Sequence, residues 1–514
     1  MAPSSALVLG GSHNKWIGGA GSWSTIPIGI GEPPQWLYMS PSTVGSELWA
    51  VAPEACSSNR TTSATADCQA SRGGVLYNNQ SSTRVSDTTD TIPDSEFFYP
   101  SVGEYGFDTI TINSTVGNNT PISIEHQTVA SFSGLSFWMG MLGLGIEPVA
   151  LDDRDSHPTI LRSLKAQSVI PSLSYGYTAG AYYDQTPGNL VLGGYDSAAF
   201  TPSGVGFEIN SGSSGDRALT LSLQSMEIGN SLQGTVTLPA APRKDISVAI
   251  DTMLQEFWFP TDVCDGIADT LGLTYDNATG FYLVDNTASL SNLNPHFTFT
   301  LAANGTSTET VSIEFDWAPF AHIVGPPLYN TTKTYMPLRR AVNDSQSVLG
   351  RVFLQEAHLT VDWERGKFHI GQATHQSSNS TDGIVSIFPP GDRQKPSPSR
   401  LSGGQIAGIA VGGGVVGILV VAAAWYMIAR RRRRTRQRAR SLPQVLSPET
   451  QTARHSLQKP THELDGRQMH EAWSEDIKFE QPEKSKLADM TSRAELESPL
   501  NELESPLRHH ELEA

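Results

Sequence analysis

The chain has 514 residues, 38% of them hydrophobic and 17% charged, and a formal net charge of −17. That is enough apolar content for a large core and too much length for one ordinary domain. Residues 430–514 hold 16 Lys and Arg against 15 Asp and Glu, so the acidity lies before them; such a surface excludes nucleic acid as the expected partner, because phosphate binding needs a basic footprint.

Residues 1–15 are left unassigned. The opening "MAPSSALVLGG" has only a short apolar run with no basic stretch before it, so it lacks the pattern of a secretory leader. Two explanations stand: the N-terminus continues upstream, or a later apolar segment directs export of everything before it.

From Trp16 to Ala373 short β-type runs alternate with Gly, Asn, Asp, Ser and Pro clusters, as in "STIPIGIG", "YGFDTITI", "NLVLGGYD", "LTLSLQSMEI" and "HFTFTLAANG". The fold class is therefore mainly β. Helical patches are expected at "HPTILRSLKAQS" and at "TDVCDGIADTLGL" after Pro260. Of three cysteines, Cys56 and Cys68 are spaced to pair around a short loop, which leaves Cys264 odd, either free or intermolecular.

Residues 374–405 are rich in Ser, Pro, Gln and Asn and read as a glycosylated stalk. Next comes "IAGIAVGGGVVGILVVAAAWYMIA", residues 406–429, without a charge and about 36 Å long as a helix, enough to span a bilayer. Eight arginines in "RRRRRTRQRAR", residues 430–440, follow and anchor a cytoplasmic side. The N-terminal part is then outside, at the plasma membrane, and residues 430–514, with "ELESPL" repeated at 495–500 and 502–507, form a disordered cytoplasmic tail. Nine Asn-x-Ser/Thr sequons agree with this topology, at Asn59, Asn79, Asn113, Asn118, Asn277, Asn304, Asn330, Asn343 and Asn379, all before the apolar span. Within the span Gly408 with Gly412, and Gly413 with Gly417, have the spacing of helix pairing in lipid, a route to a homodimer.

Two halves of the β region share a pattern: an apolar strand ending in a three-residue turn and, later, an apolar pair followed by glycine. The first half has "WLYMSPSTVGSELWAV" and "MGMLGLG"; the second has "VAIDTMLQEFWFP" and "SVLGRVFLQEAHLTVDWERGKFHIG". Here the chain resembles the pepsin-like aspartic proteases, from about Ser24 to Ala373. The resemblance implies a bilobal fold with lobes at 16–200 and 201–373, a cleft that holds a peptide or protein ligand, and no cofactor or metal. "IPIGIGEPPQ" matches the family's first hairpin, "YGFDTITI" the strand after its flap, and "GNLVLGGYDSAAF" its inter-lobe strand.

The family's Asp-Thr-Gly turns fall on Ser42-Thr43-Val44 and Asp251-Thr252-Met253. Asp251 matches a catalytic aspartate by position and Ser42 replaces the other. The family chemistry needs two carboxylates sharing one proton, so that one activates water while the other polarises the carbonyl; a serine hydroxyl cannot act as that base. Val44 and Met253 fill the places of the two turn glycines, and Gly45 and Leu254 replace the hydroxyl residues that orient each aspartate. Thr43 and Thr252, which the family uses for inter-lobe hydrogen bonds, are both kept. The flap stretch "EFFYPSVGEYGFD" lacks the family's Tyr-Gly-x-Gly tip, with Tyr99 a weak stand-in. The expectation is a pseudoprotease that binds peptide or wall polymer. The rivals are an active endopeptidase using Asp251 with another acid, and a membrane sensor signalling through Ser447-Pro448, Ser498-Pro499 and Ser505-Pro506. Asp251 also has a purely structural reading, as a carboxylate satisfied by turn amides.

Overall fold

The structure is a computed structural model that describes residues 5–391 except 12–14, 58–61, 92–101, 116–119, 135–136, 151–155, 211–216, 240–243, 327 and 377–382. The chain divides into a compact unit, residues 1–400, and a second, residues 401–514, which lies wholly outside the described residues. The expected membrane span 406–429, the tail 430–514, the flap residue Tyr99 and the sequons Asn59, Asn118 and Asn379 therefore lie outside the described residues. Among the described residues no helix is long and apolar enough to cross a membrane.

Strands form where the apolar pattern has period two. His296–Ala302 and Thr310–Phe315 pair antiparallel, and in the latter every second side chain is buried. They belong to an eight-stranded sheet of the second half, with Thr220–Ser231, Ile246–Ile250, Val348–Leu349 and Phe257–Pro260 in its middle. The first half builds a seven-stranded sheet from Ile26–Ile30, Gln35–Ser42, Met141–Gly143, Leu48–Val51, Ile122–Phe132, Val102–Ile112 and Val85–Thr91. A third sheet of seven strands takes members from both halves, with Thr186–Leu192 and Ser174–Ala181 beside Ala357–Asp362 and Lys367–Ala373. The mainly-β expectation holds for this unit, and the two expected helices are present at Ile160–Ala166 and Thr261–Leu271. The second buries Val263, Cys264, Ile267, Ala268, Thr270 and Leu271, and stops at Gly272, whose φ of +66° suits glycine.

The folded boundaries run wider than the sequence suggests. Leu7–Gly10, in the unassigned N-terminus, adds a strand to the shared sheet by pairing with Thr186–Leu192. At the other end Ile384–Ser386, inside the expected stalk, pairs with Gly194–Asp196. Both are short runs whose partners are far away in sequence, so local pattern does not reveal them. Cys56 and Cys68 form the expected disulfide. Cys264 is fully buried, with Sγ 3.3 Å from the Phe259 carbonyl and 3.2 Å from that of Arg339, and burial pushes its thiol up to about 12. Of its two readings the free thiol holds, because an intermolecular bond would need the surface.

Candidate active site

Each half places its turn by the same device. Met141–Gly143 runs parallel to Gln35–Ser42, aligning Gly143 with Ser42, while Val348–Leu349 runs parallel to Ile246–Ile250. The crossing strand then pins the turn through main chain: Leu144 N donates to Ser42 O at 2.9 Å, and Asp251 N donates to Leu349 O at 3.2 Å. Glycine follows each apolar pair because backbone passes close by. A Cβ on Gly143 would lie 2.6 Å from the Glu47 carbonyl, and one on Gly350 2.1 Å from that of Glu256.

The two turns meet, as the kept threonines require. Thr43 Oγ1 accepts from Thr252 N at 3.0 Å and donates to Ile250 O at 3.0 Å; reciprocally, Thr252 Oγ1 accepts from Thr43 N at 3.0 Å and donates to Pro41 O at 2.9 Å. Four buried hydrogen bonds thus join residues some 209 positions apart in near two-fold symmetry. Asp251 and Ser42 flank this brace, 1% and 2% exposed. Their side chains do matching jobs: Asp251 Oδ1 accepts from Met253 N at 2.8 Å, and Ser42 Oγ accepts from Val44 N at 3.3 Å. The Ser42 hydroxyl also donates to the Val44 carbonyl, which commits its proton to main chain.

Val44 and Met253 do more than occupy two glycine positions. Although they come from different halves, they share one buried apolar cluster with Trp49, Val51, Val75, Tyr105, Phe132, Phe137 and Met141. Met253 is therefore packed into the first half's core. Leu254 lies in a smaller cluster with Ala249 and Val348, whereas Gly45, at φ +78°, faces open space, and a Cβ added there would meet no atom within 4 Å. The acid nearest Ser42 in sequence, Glu47, lies between Gln35–Ser42 and Leu48–Val51 and is already occupied: Oε1 accepts from Trp49 Nε1 and Oε2 from Ser46 N, both at 3.1 Å.

Arg351 is a neighbour of the site that the family motif does not single out. It is 1% exposed and reaches the second turn, where its Nε and Nη2 donate to Thr252 O at 3.1 and 2.9 Å. Its guanidinium lies over the Trp23 ring at 5.3 Å. Burial lowers the Arg351 pKa, while Tyr177, Glu256 and Asp251 act in the opposite sense. The signal in sequence is a lone charge inside the apolar run "VLGRVFLQ". Six of the sequons are described, at Asn79, Asn113, Asn277, Asn304, Asn330 and Asn343, and all six asparagines are exposed. No group of three or more His, Cys, Asp or Glu suited to a metal ion occurs among the described residues.

Comparison with known proteins agrees with this geometry. The chain is 22% identical over 405 residues to the probable aspartic-type endopeptidase opsB of Aspergillus oryzae, covering 75% of each. It is 20% identical over 293 residues to barrierpepsin of Saccharomyces cerevisiae, covering 55% of this chain and 46% of that one. The family model for eukaryotic aspartyl proteases matches residues 25–374, the span that holds both turns, both crossing strands and the threonine brace. The chain belongs to the eukaryotic aspartyl protease family.

Proposed function

We propose that this is a single-pass glycoprotein of the plasma membrane, with a pepsin-like ectodomain outside, a cytoplasmic tail inside, and a cleft that binds peptide or wall polymer with proteolysis impaired. The observation that carries the impairment is Ser42. Its hydroxyl takes the place of a carboxylate and gives its proton to Val44 O. One carboxylate can hold a water but cannot both deprotonate it and supply the proton the scissile carbonyl needs. The packing of Val44 with Met253 supports the same reading, since apolar side chains fill the room that two turn glycines would leave.

A second reading, an active endopeptidase, draws on the intact threonine brace, on Asp251 itself and on the similarity to the probable aspartic-type endopeptidase of Aspergillus oryzae. Incubating the full-length protein with acid-denatured haemoglobin between about pH 2 and 7 separates the two. No cleavage is the expected result. Pepstatin-sensitive cleavage lost in Asp251→Asn overturns the impairment. Retention of the protein on immobilised pepstatin without cleavage supports a peptide-binding cleft, and a failure to bind any peptide argues for the sensor reading, in which the ectodomain is a spacer.

A further inference from the structure

At one end of the shared sheet, ionisable side chains from both halves of the chain meet. Tyr183 and Asp184 come from the turn Tyr182–Asp184, which joins Ser174–Ala181 to Thr186–Leu192. Glu356 immediately precedes Ala357–Asp362, and His375 follows Lys367–Ala373. His375 Nε2 lies 3.3 Å from Glu356 Oε2 and 3.1 Å from the Gln355 carbonyl, while its Nδ1 lies 3.7 Å from Asp184 Oδ2. The Tyr183 hydroxyl donates to Glu356 Oε1 and sits 3.5 Å from His375 Nε2. Glu356 is only 7% exposed.

His375 is also held in an uncommon backbone state, with φ +52°. That conformation is strained for an L-residue, so neighbouring contacts must maintain it. They do: Thr374 N donates to Ala199 O at 3.0 Å and Thr374 Oγ1 to Ala198 O at 2.6 Å, while Thr186 Oγ1 lies 3.5 Å from the His375 carbonyl.

A neutral imidazole carries one N–H and no charge, so it can serve one of two flanking carboxylates while a lone pair faces the other; an imidazolium turns an N–H towards each, close to Glu356 and as a longer ion pair with Asp184. We propose that His375 is a proton-operated tie between the two halves of the chain, bridging Asp184 of the first half and Glu356 of the second when charged and losing one of those contacts when neutral. The hydrogen bond to Glu356 raises the His375 pKa above its ordinary value; burial opposes this and Asp184 adds to it. The other groups near the cluster are Tyr183, held protonated by burial and by Glu356, and Asp316, which acts on Tyr183 and pairs with the exposed His296 at 3.4 Å. Because the folded pKa is raised, the tie is complete below the ordinary histidine value of about 6.5 and is lost as pH rises through the folded value.

The test is thermal unfolding of the full-length protein, followed by tryptophan fluorescence from about pH 6.5 to 9. The wild type is expected to lose about 2 °C or more across that range. His375→Gln should remove the loss, and Glu356→Gln should shift it to lower pH. An equal loss in His375→Gln overturns the tie. If the variants do not fold, titration of the histidine carbons of the wild type by NMR decides. A raised midpoint for the ring contacting Tyr183 supports the tie, and a midpoint at or below about 6.5 defeats it.

Discussion

Ser42 and Asp251 make the same bond to the amide two residues on, so a serine and an aspartate support equivalent turns in the two halves. A serine hydroxyl accepts from Val44 N as the Asp251 carboxylate accepts from Met253 N, so the local hydrogen bond is met by either side chain. Replacing Ser42→Asp alone is expected to give no pepstatin-sensitive cleavage, because Val44 and Met253 stay in their shared apolar cluster. Ser42→Asp with Val44→Gly and Met253→Gly is the fairer reconstruction, and pepstatin-sensitive peptide cleavage measures it. The threonines behave differently. Thr252→Val keeps volume but strands Thr43 N and Pro41 O in the interior, at about 1–3 kcal/mol for each unsatisfied group. Urea denaturation should show the lower midpoint with an unchanged slope.

Among the elements, the crossing strands carry the tightest constraint. Gly350→Ala would drive a methyl to 2.1 Å from a carbonyl oxygen and is expected to cost about 3 kcal/mol or to block folding. Gly45→Ala meets nothing in space and is destabilised only by its φ of +78°, about 1–2 kcal/mol. Comparing the two unfolding midpoints tests whether the glycines of the crossing strands serve close approach and that of the turn serves conformation. The Cys56–Cys68 disulfide closes a loop of sequence separation 12 and should contribute about 3 kcal/mol, read as the shift in urea midpoint on mild reduction. Cys264 should stay unmodified by thiol reagents until the protein unfolds, as its burial and raised pKa require.

For the whole molecule, pH acts from two sides. His322, stacked on Trp23, and His358, stacked on Phe200 at 4.1 Å, are buried, and desolvation lowers them to about 4 and about 3. A lowered folded value means that stability is full above about 6.5 and falls as pH drops towards the folded pKa. The His375 tie works in the opposite sense, so the unfolding temperature should peak near neutrality. His358→Phe is expected to flatten only the acid limb. Glycosidase treatment of the full-length protein should lower its apparent mass, since the six described sequon asparagines are exposed; an unchanged mass would count against the outside placement of this unit.

The β class, the helices Ile160–Ala166 and Thr261–Leu271 and the Cys56–Cys68 bridge were legible in the sequence because each is written in local pattern: period-two alternation, a proline before a helix, a short cysteine spacing. The paired turns were legible through the family resemblance, and the helices Thr62–Ser71 and Thr287–Leu293 were not expected. The expected membrane span at 406–429 rests on composition alone and lies outside the described residues. What tertiary structure decided are the contacts between distant residues. Nothing near Met253 in sequence says that it packs against Val44 and Phe137, and nothing near His375 points to Asp184, 191 positions earlier. Leu7–Gly10 and Ile384–Ser386 became strands only because Thr186–Leu192 and Gly194–Asp196 offered them edges. A short strand has no stability of its own until its hydrogen bonds find a partner, and that partner is a property of the fold.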